Sequence, residues 1–161
     1  MWSVAVKDSG VREILRRTDG WLELGCAREA LLQLEELPDA MHATREVLKL
    51  RCRALHMAED WTELKVLAAT CVMHFAMEPV FKEEWAWAEY KLGNTKDAYS
   101  ILSEEFSRFQ WTWRTAFYLA CFSYALRRVG EATEWLGRAL MIHPKPAELK
   151  REAVTELAFQ A

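Results

Sequence analysis

LGNTKDAYSILSEE, residues 92–105, carries the pattern that decides the fold. In it Asp97 precedes the small Ala98, and Leu102 follows four residues later. A carboxylate in the first turn of a helix faces the positive end of the backbone dipole. Two residues four apart share one helical face, so Ala98 and Leu102 begin a buried stripe. The same arrangement stands in LGCAREALLQLEEL (24–37), MAEDWTELKVLAAT (57–70) and RRVGEATEWLGRAL (127–140). Aligned on Ala30, Leu64, Ala98 and Ala132, the segments are 34 residues apart each time. The residues just before the anchors are Glu29, Glu63, Asp97 and Glu131, all acidic. Four after them come Leu34, Ala68, Leu102 and Leu136, all apolar. Equal spacings with matching columns define an internal repeat.

The columns extend outward from these anchors. Asp60 stands three residues before Glu63 and Asn94 three before Asp97, the spacing of a capping box. Gly25 and Gly93 fall just ahead of two of the helices, where a left-handed residue lets successive helices fold back. Upstream of the anchors run further apolar-periodic segments: Val47, Leu48, Leu50 and Leu55; Phe81, Trp85, Ala88 and Leu92; Ala116, Leu119, Ala120 and Tyr124. Cys52, Ala86 and Ala120 form another 34-residue column, of small residues that let paired helices approach closely. Thr18 holds that place in the first repeat. Pro38, Pro79, Pro144 and Pro146 lie between periodic segments, and no sustained alternation marks a strand. The reading is all-α, with helices over 9–24, 27–37, 42–57, 61–75, 79–92, 95–108, 113–127, 131–142 and 146–159. In the last one Leu149, Ala153 and Leu157 form one apolar stripe, with Glu148, Lys150, Arg151, Glu152 and Glu156 around it. That is the design of a helix capping a stack.

A helix-turn-helix period of this length resembles the tetratricopeptide repeat. AFYLACFSYALRRVGEATEWLGRALMIHP (116–144) carries the resemblance best, through Leu119, Ala120, Tyr124, Ala132, Leu136, Ala139 and Pro144. WAWAEYKLGNTKDAYSIL (85–102) fits nearly as well. The first two repeats depart from the pattern at Arg17, Thr18 and Arg51. GWLELG, KLGNTKDAY and YLACF are similar to phrases in small bacterial proteins of this repeat class. The resemblance implies one domain over 1–161: a right-handed superhelix of four repeats (about 11–44, 45–78, 79–112 and 113–146) and a capping helix at about 146–159. It further implies that the first helices line a concave, partner-binding groove. The residues at groove positions are Arg16, Lys49, Arg53, His56, Glu84, Trp87, Tyr90, Arg114, Tyr118 and Tyr124. One subset of the family grips a C-terminal carboxylate, at positions that here hold Lys49, Arg53, Glu84, Arg114 and Tyr118. Both asparagines of that subset are replaced, one by an acid, so this mode is not expected.

Composition bounds the chemistry. The 161 residues are 52% hydrophobic and 28% charged, with eight tryptophans, so a packed core is expected and disorder is not. A net charge of −3 argues against nucleic acid as a partner. MWSVAVKDSG lacks the apolar run of an export signal, and no stretch is apolar enough to span a membrane, so a cytoplasmic protein is expected. The four cysteines, Cys26, Cys52, Cys71 and Cys121, are scattered, which fits reduced thiols. Cys52 with His56, and Cys71 with His74, have ligand spacing for a metal, but no further pair completes a site, and packing is the expectation. Cys121 is expected on the groove side without a base to activate it, so neither catalysis nor a cofactor is expected. The run Lys82–Glu84 reads as a solvated face.

The expected role is a protein- or peptide-binding adaptor, monomeric or weakly dimeric. A dedicated chaperone for a hydrophobic client and a self-assembling scaffold are the other readings. The groove positions read as basic at the N-terminal end and aromatic at the other. A partner segment carrying acidic and aliphatic or aromatic residues would match. The aromatic residues have two roles open to them, recognition or packing between repeats.

Overall fold

The computed structural model describes residues 9–104 and 112–158, with side chains as far as Glu156. Its helices are α1 (Ser9–Glu23), α2 (Ala27–Glu35), α3 (Arg45–Met57), α4 (Trp61–His74), α5 (Pro79–Lys91), α6 (Thr95–Ser103), α7 (Trp113–Ala125), α8 (Val129–Ile142) and α9 (Pro146–Ala158). No strand occurs among the described residues. The helices pair as α1/α2, α3/α4, α5/α6 and α7/α8, and each first helix also packs on the first helix of the next pair. Four helix-turn-helix units and a ninth helix make a right-handed superhelical stack.

The columns are the core. Ala30, Leu64 and Ala98 are wholly buried and Ala132 nearly so. Leu34, Ala68 and Leu102 are buried with them, while Leu136 is half-buried. The small-residue column, Thr18, Cys52, Ala86 and Ala120, is buried throughout. Thr18 fits because its hydroxyl donates to the Ile14 carbonyl, which satisfies a polar group in an apolar place. Arg51 also fits, by donating to Glu35 and His42, and Arg17 stays exposed on Glu13.

Helix ends follow local chemistry, with some differences from the sequence reading. Asp60 accepts from the Glu63 amide, as its spacing predicts. Asn94 does not cap; its amide side chain donates to Glu89 instead. Thr112 caps α7 by accepting from the Thr115 amide. The third helix starts at Arg45 rather than 42, because Asp39–Met41 form a short 3-10 turn and Thr44 is extended. The eighth starts earlier than expected, at Val129. Residues 105–108 of the sixth expected helix lie outside the described residues.

A further column shows itself in the backbone. Gly25 and Gly93 have φ of 76° and 91°, and the equivalent positions 34 residues on from each hold Glu59 (φ 55°) and Arg127 (φ 63°). The turn therefore demands a left-handed residue in every repeat, and in two of them a side chain adopts it. Such a residue costs about 1–2 kcal/mol, partly offset by the extra unfolded-state freedom of the glycine that would replace it. Glu59→Gly and Arg127→Gly should each stabilise the protein by about 0.5–1 kcal/mol. Urea unfolding reads this directly, and a loss of stability in both variants would show that the two side chains contribute more than their backbone strain.

Candidate functional site

The first helices and α9 line an open cavity of about 1270 Å³. Of the positions named from sequence, Arg16, Lys49, Arg53, His56, Glu84, Trp87, Arg114 and Tyr118 line it. Tyr90 and Tyr124 do not. They line a separate depression of about 470 Å³, together with Lys91, Arg127 and Glu156.

The basic end is largely neutralised from within. Arg16 holds Glu13 at 2.8 Å, Lys49 holds Glu78 at 2.5 Å and Arg53 holds Asp19 at 2.7 Å. Hydrogen bonds from Arg16 and then Arg17 lower the Glu13 carboxyl to a pKa of about 2. The hydrogen bond from Lys49 likewise lowers Glu78. These pairs are solvent-accessible, so they orient side chains more than they stabilise the fold.

The aromatic end is a packed floor. Trp87 stacks on Tyr118 with ring centres 4.2 Å apart, and touches the rings of Tyr90, Phe122 and His56. Trp87 and Tyr118 are each 6% exposed and Tyr90 8%, so all three are packed into the fold. Burial pushes the Tyr118 phenol well above its ordinary value, so it stays neutral. The Trp87 indole N–H is buried and has no hydrogen-bond partner among the described residues.

The run Lys82–Glu84 is not a solvated face, contrary to its composition. Glu83 and Glu84 are 3% and 5% exposed. His56 donates through Nδ1 to Glu84 at 2.6 Å, which ties α3 to α5. Glu83 accepts from the hydroxyls of Thr112 and Thr115, which ties α5 to the start of α7. A third carboxylate on the same helix, Glu89, accepts from Lys65, Trp85 and Asn94. Burial raises the Glu89 pKa, but the bonds from Asn94 and Lys65 outweigh it and the net direction is down. Glu89 thus contributes stability at neutral pH, and that contribution is lost as pH falls below the ordinary glutamate range.

The last helix does more than cap. Leu149 and Ala153 are buried in one cluster with Trp135 and Ala139, which covers the end of the stack as expected. The Leu157 side chain lies outside the described residues. On its other side α9 reaches back to α5. Glu156 pairs with Lys91 at 2.7 Å and accepts from the Tyr90 hydroxyl at 3.5 Å. Lys91 in turn sits over the Trp87 ring, 4.8 Å from its centre. Arg151, Glu152, Thr155 and Glu156 thereby become part of the cavity wall. Sequence reasoning missed these residues, because Lys91 and Glu156 stand 65 positions apart and no local pattern joins them.

A solved structure of a tetratricopeptide repeat protein from Parabacteroides merdae ATCC 43184 superposes on this architecture with a TM-score of 0.74. The aligned residues are 11% identical and cover 90% of this chain. The fold is the tetratricopeptide repeat fold. The chain spans 56% of the length of that protein. No protein-family model matches the sequence, and no curated protein does.

The tetratricopeptide arrangement also places the thiols. Cys52 and Cys71 are buried side by side between α3 and α4, where their mutual hydrogen bond and burial push the Cys52 thiol up. Cys121 is 1% exposed and packs in the core, so its thiol is covered. Burial raises its pKa too. His74 is exposed and His56 is engaged by Glu84, so neither joins a cysteine. Among the described residues no three His, Cys, Asp or Glu side chains gather around a common point. No described helix is long and apolar enough to cross a membrane.

Proposed function

We propose that this chain binds a segment of another protein in its concave cavity and performs no catalysis of its own. The observation that supports this reading best is the cavity itself. At about 1270 Å³ it exceeds the roughly 300–1,000 Å³ of small-molecule pockets, and every first helix contributes to it. A peptide running along such a trench meets side chains from successive repeats, which suits an extended strand or a single helix. The residues assigned to contact are Arg16, Lys49, Arg53, His56, Glu84, Trp87, Arg114 and Tyr118, with Tyr90 and Tyr124 at the adjoining depression. The whole of 1–161 acts as one adaptor domain in the cytoplasm, as a monomer or weak homodimer, and nucleic acid is not its partner.

Site-specific photocrosslinking tests the location. A photoreactive residue in place of Arg53, inside the cavity, should trap partner peptides identifiable by mass spectrometry. The same residue in place of Arg28, exposed on α2 outside the cavity, should trap none of them. Partner peptides attached only through position 28 would move the working surface to the outer helices.

A further inference from the structure

The charges lining the cavity are mostly engaged within the chain. Arg16, Lys49 and Arg53 each hold a carboxylate, and Arg114 lies over the Trp113 ring, 5.5 Å from its centre. On the acidic side Glu46 is held by Arg45, Glu84 by His56 and Glu156 by Lys91. Two cations remain. Arg12, on the first helix, and Arg151, on the last, both line the cavity, and their side chains make no ion pair or hydrogen bond among the described residues. Among the described residues that line the cavity, the acid without a partner is Glu152. Among the described residues the charge lining the cavity without an ionic partner is therefore positive on balance, with Arg12, Arg114 and Arg151 against Glu152, in a chain whose net charge is −3.

We propose that Arg12 and Arg151 together hold the carboxylates of an acidic, amphipathic segment of the partner protein, so that α9 is a wall of the binding site as well as a cap. This rests on the reading of the cavity as a protein-binding groove. The apolar side of such a segment meets Leu50, Met57 and Val80, which line the same cavity and keep apolar surface accessible. The overall negative charge opposes long-range attraction of an acidic partner, so the two arginines act at contact distance, fixing the position of the segment more than speeding its arrival. Both arginines are exposed, which makes each pair individually weak and the two together decisive for register. The site thus spans the two ends of the chain, and neither end recognises the partner without the other.

The probe is a synthetic, capped peptide of repeating Glu-Glu-Leu-Leu, compared with versions in which Gln or Lys replaces every Glu. Binding is measured by calorimetry on the full chain at low and moderate salt. The acidic peptide should bind the parent, and the Gln and Lys versions should bind at least about tenfold more weakly. Arg12→Glu with Arg151→Glu should lose the acidic peptide by a similar factor and gain the Lys peptide. That gain shows the variant is folded. Arg28→Glu with Lys96→Glu, an equal charge change away from the cavity, should leave binding unchanged. The proposal is overturned if the acidic peptide does not bind the parent, or if the Gln peptide binds equally well. It is also overturned if the Arg12/Arg151 variant keeps the acidic peptide, or if an oligothymidylate binds as tightly as the peptide. None of these results bears on crosslinking through position 53, which tests the groove by itself.

Discussion

Trp87→Ala should destabilise the protein by about 3–5 kcal/mol. The side chain is 6% exposed, stacks on Tyr118, and lies against Tyr90, Phe122 and His56. Lys91 covers its face. Removing it leaves a void that these rings, fixed on α3, α5 and α7, are too constrained to fill, so the lost burial and the lost contacts add. Urea unfolding gives the size of the effect, and near-ultraviolet circular dichroism reports whether the remaining rings keep their order. A cost below about 1 kcal/mol would mean that the floor is loosely packed and that its aromatics are available to a ligand. Tyr124→Ala should cost much less, since Tyr124 is only half-buried in the neighbouring depression.

Deleting residues 146–161 is the second large effect. It uncovers Trp135 and Ala139, removes the fully buried Leu149, and releases Lys91 from Glu156. A buried leucine alone contributes about 1.5–3 kcal/mol, and the uncovered tryptophan adds to it. A total near 3 kcal/mol would lower Tm by roughly 6–12 °C in a chain of this size. An apolar end with no cap also promotes association, so light scattering should rise on heating. Coincident melting curves and equal scattering would show that α9 is dispensable for the stack.

The helices were legible because the signals that define them are local. Asp97, Ala98 and Leu102 need only one another to announce a buried stripe, and the stripe recurs every 34 residues. The left-handed turn was legible at Gly25 and Gly93 and hidden at Glu59 and Arg127, since neither side chain advertises that backbone. Carrying the repeat period one more column would have exposed both. The site was harder to see. Glu83 and Glu84 sit in a charged run and look solvated, yet their partners come from other helices: His56, 28 residues earlier, and Thr115, 32 residues later. Tyr90 and Tyr124 share a helical position with His56, but α9 and Lys91 separate them from the main cavity. Periodicity reports which face of a helix turns inward. It does not report what a helix at the far end of the chain will lay across that face.

The bond between Lys91 and Glu156 also bears on how the molecule forms. Helices here pack on their immediate neighbours or the next but one, so the stack has low contact order and its assembly can begin in any repeat and spread. The link from α5 to α9 closes a loop of 65 residues, and it has no geometry until α6, α7 and α8 are in place. It therefore belongs after the rate-limiting step of folding, among contacts absent from the transition state. Breaking such a contact leaves the folding rate nearly untouched and accelerates unfolding. Removing the Lys91–Glu156 pair should therefore show itself as a modest rise in the unfolding rate with little change in the folding rate, on the scale of a solvent-accessible ion pair.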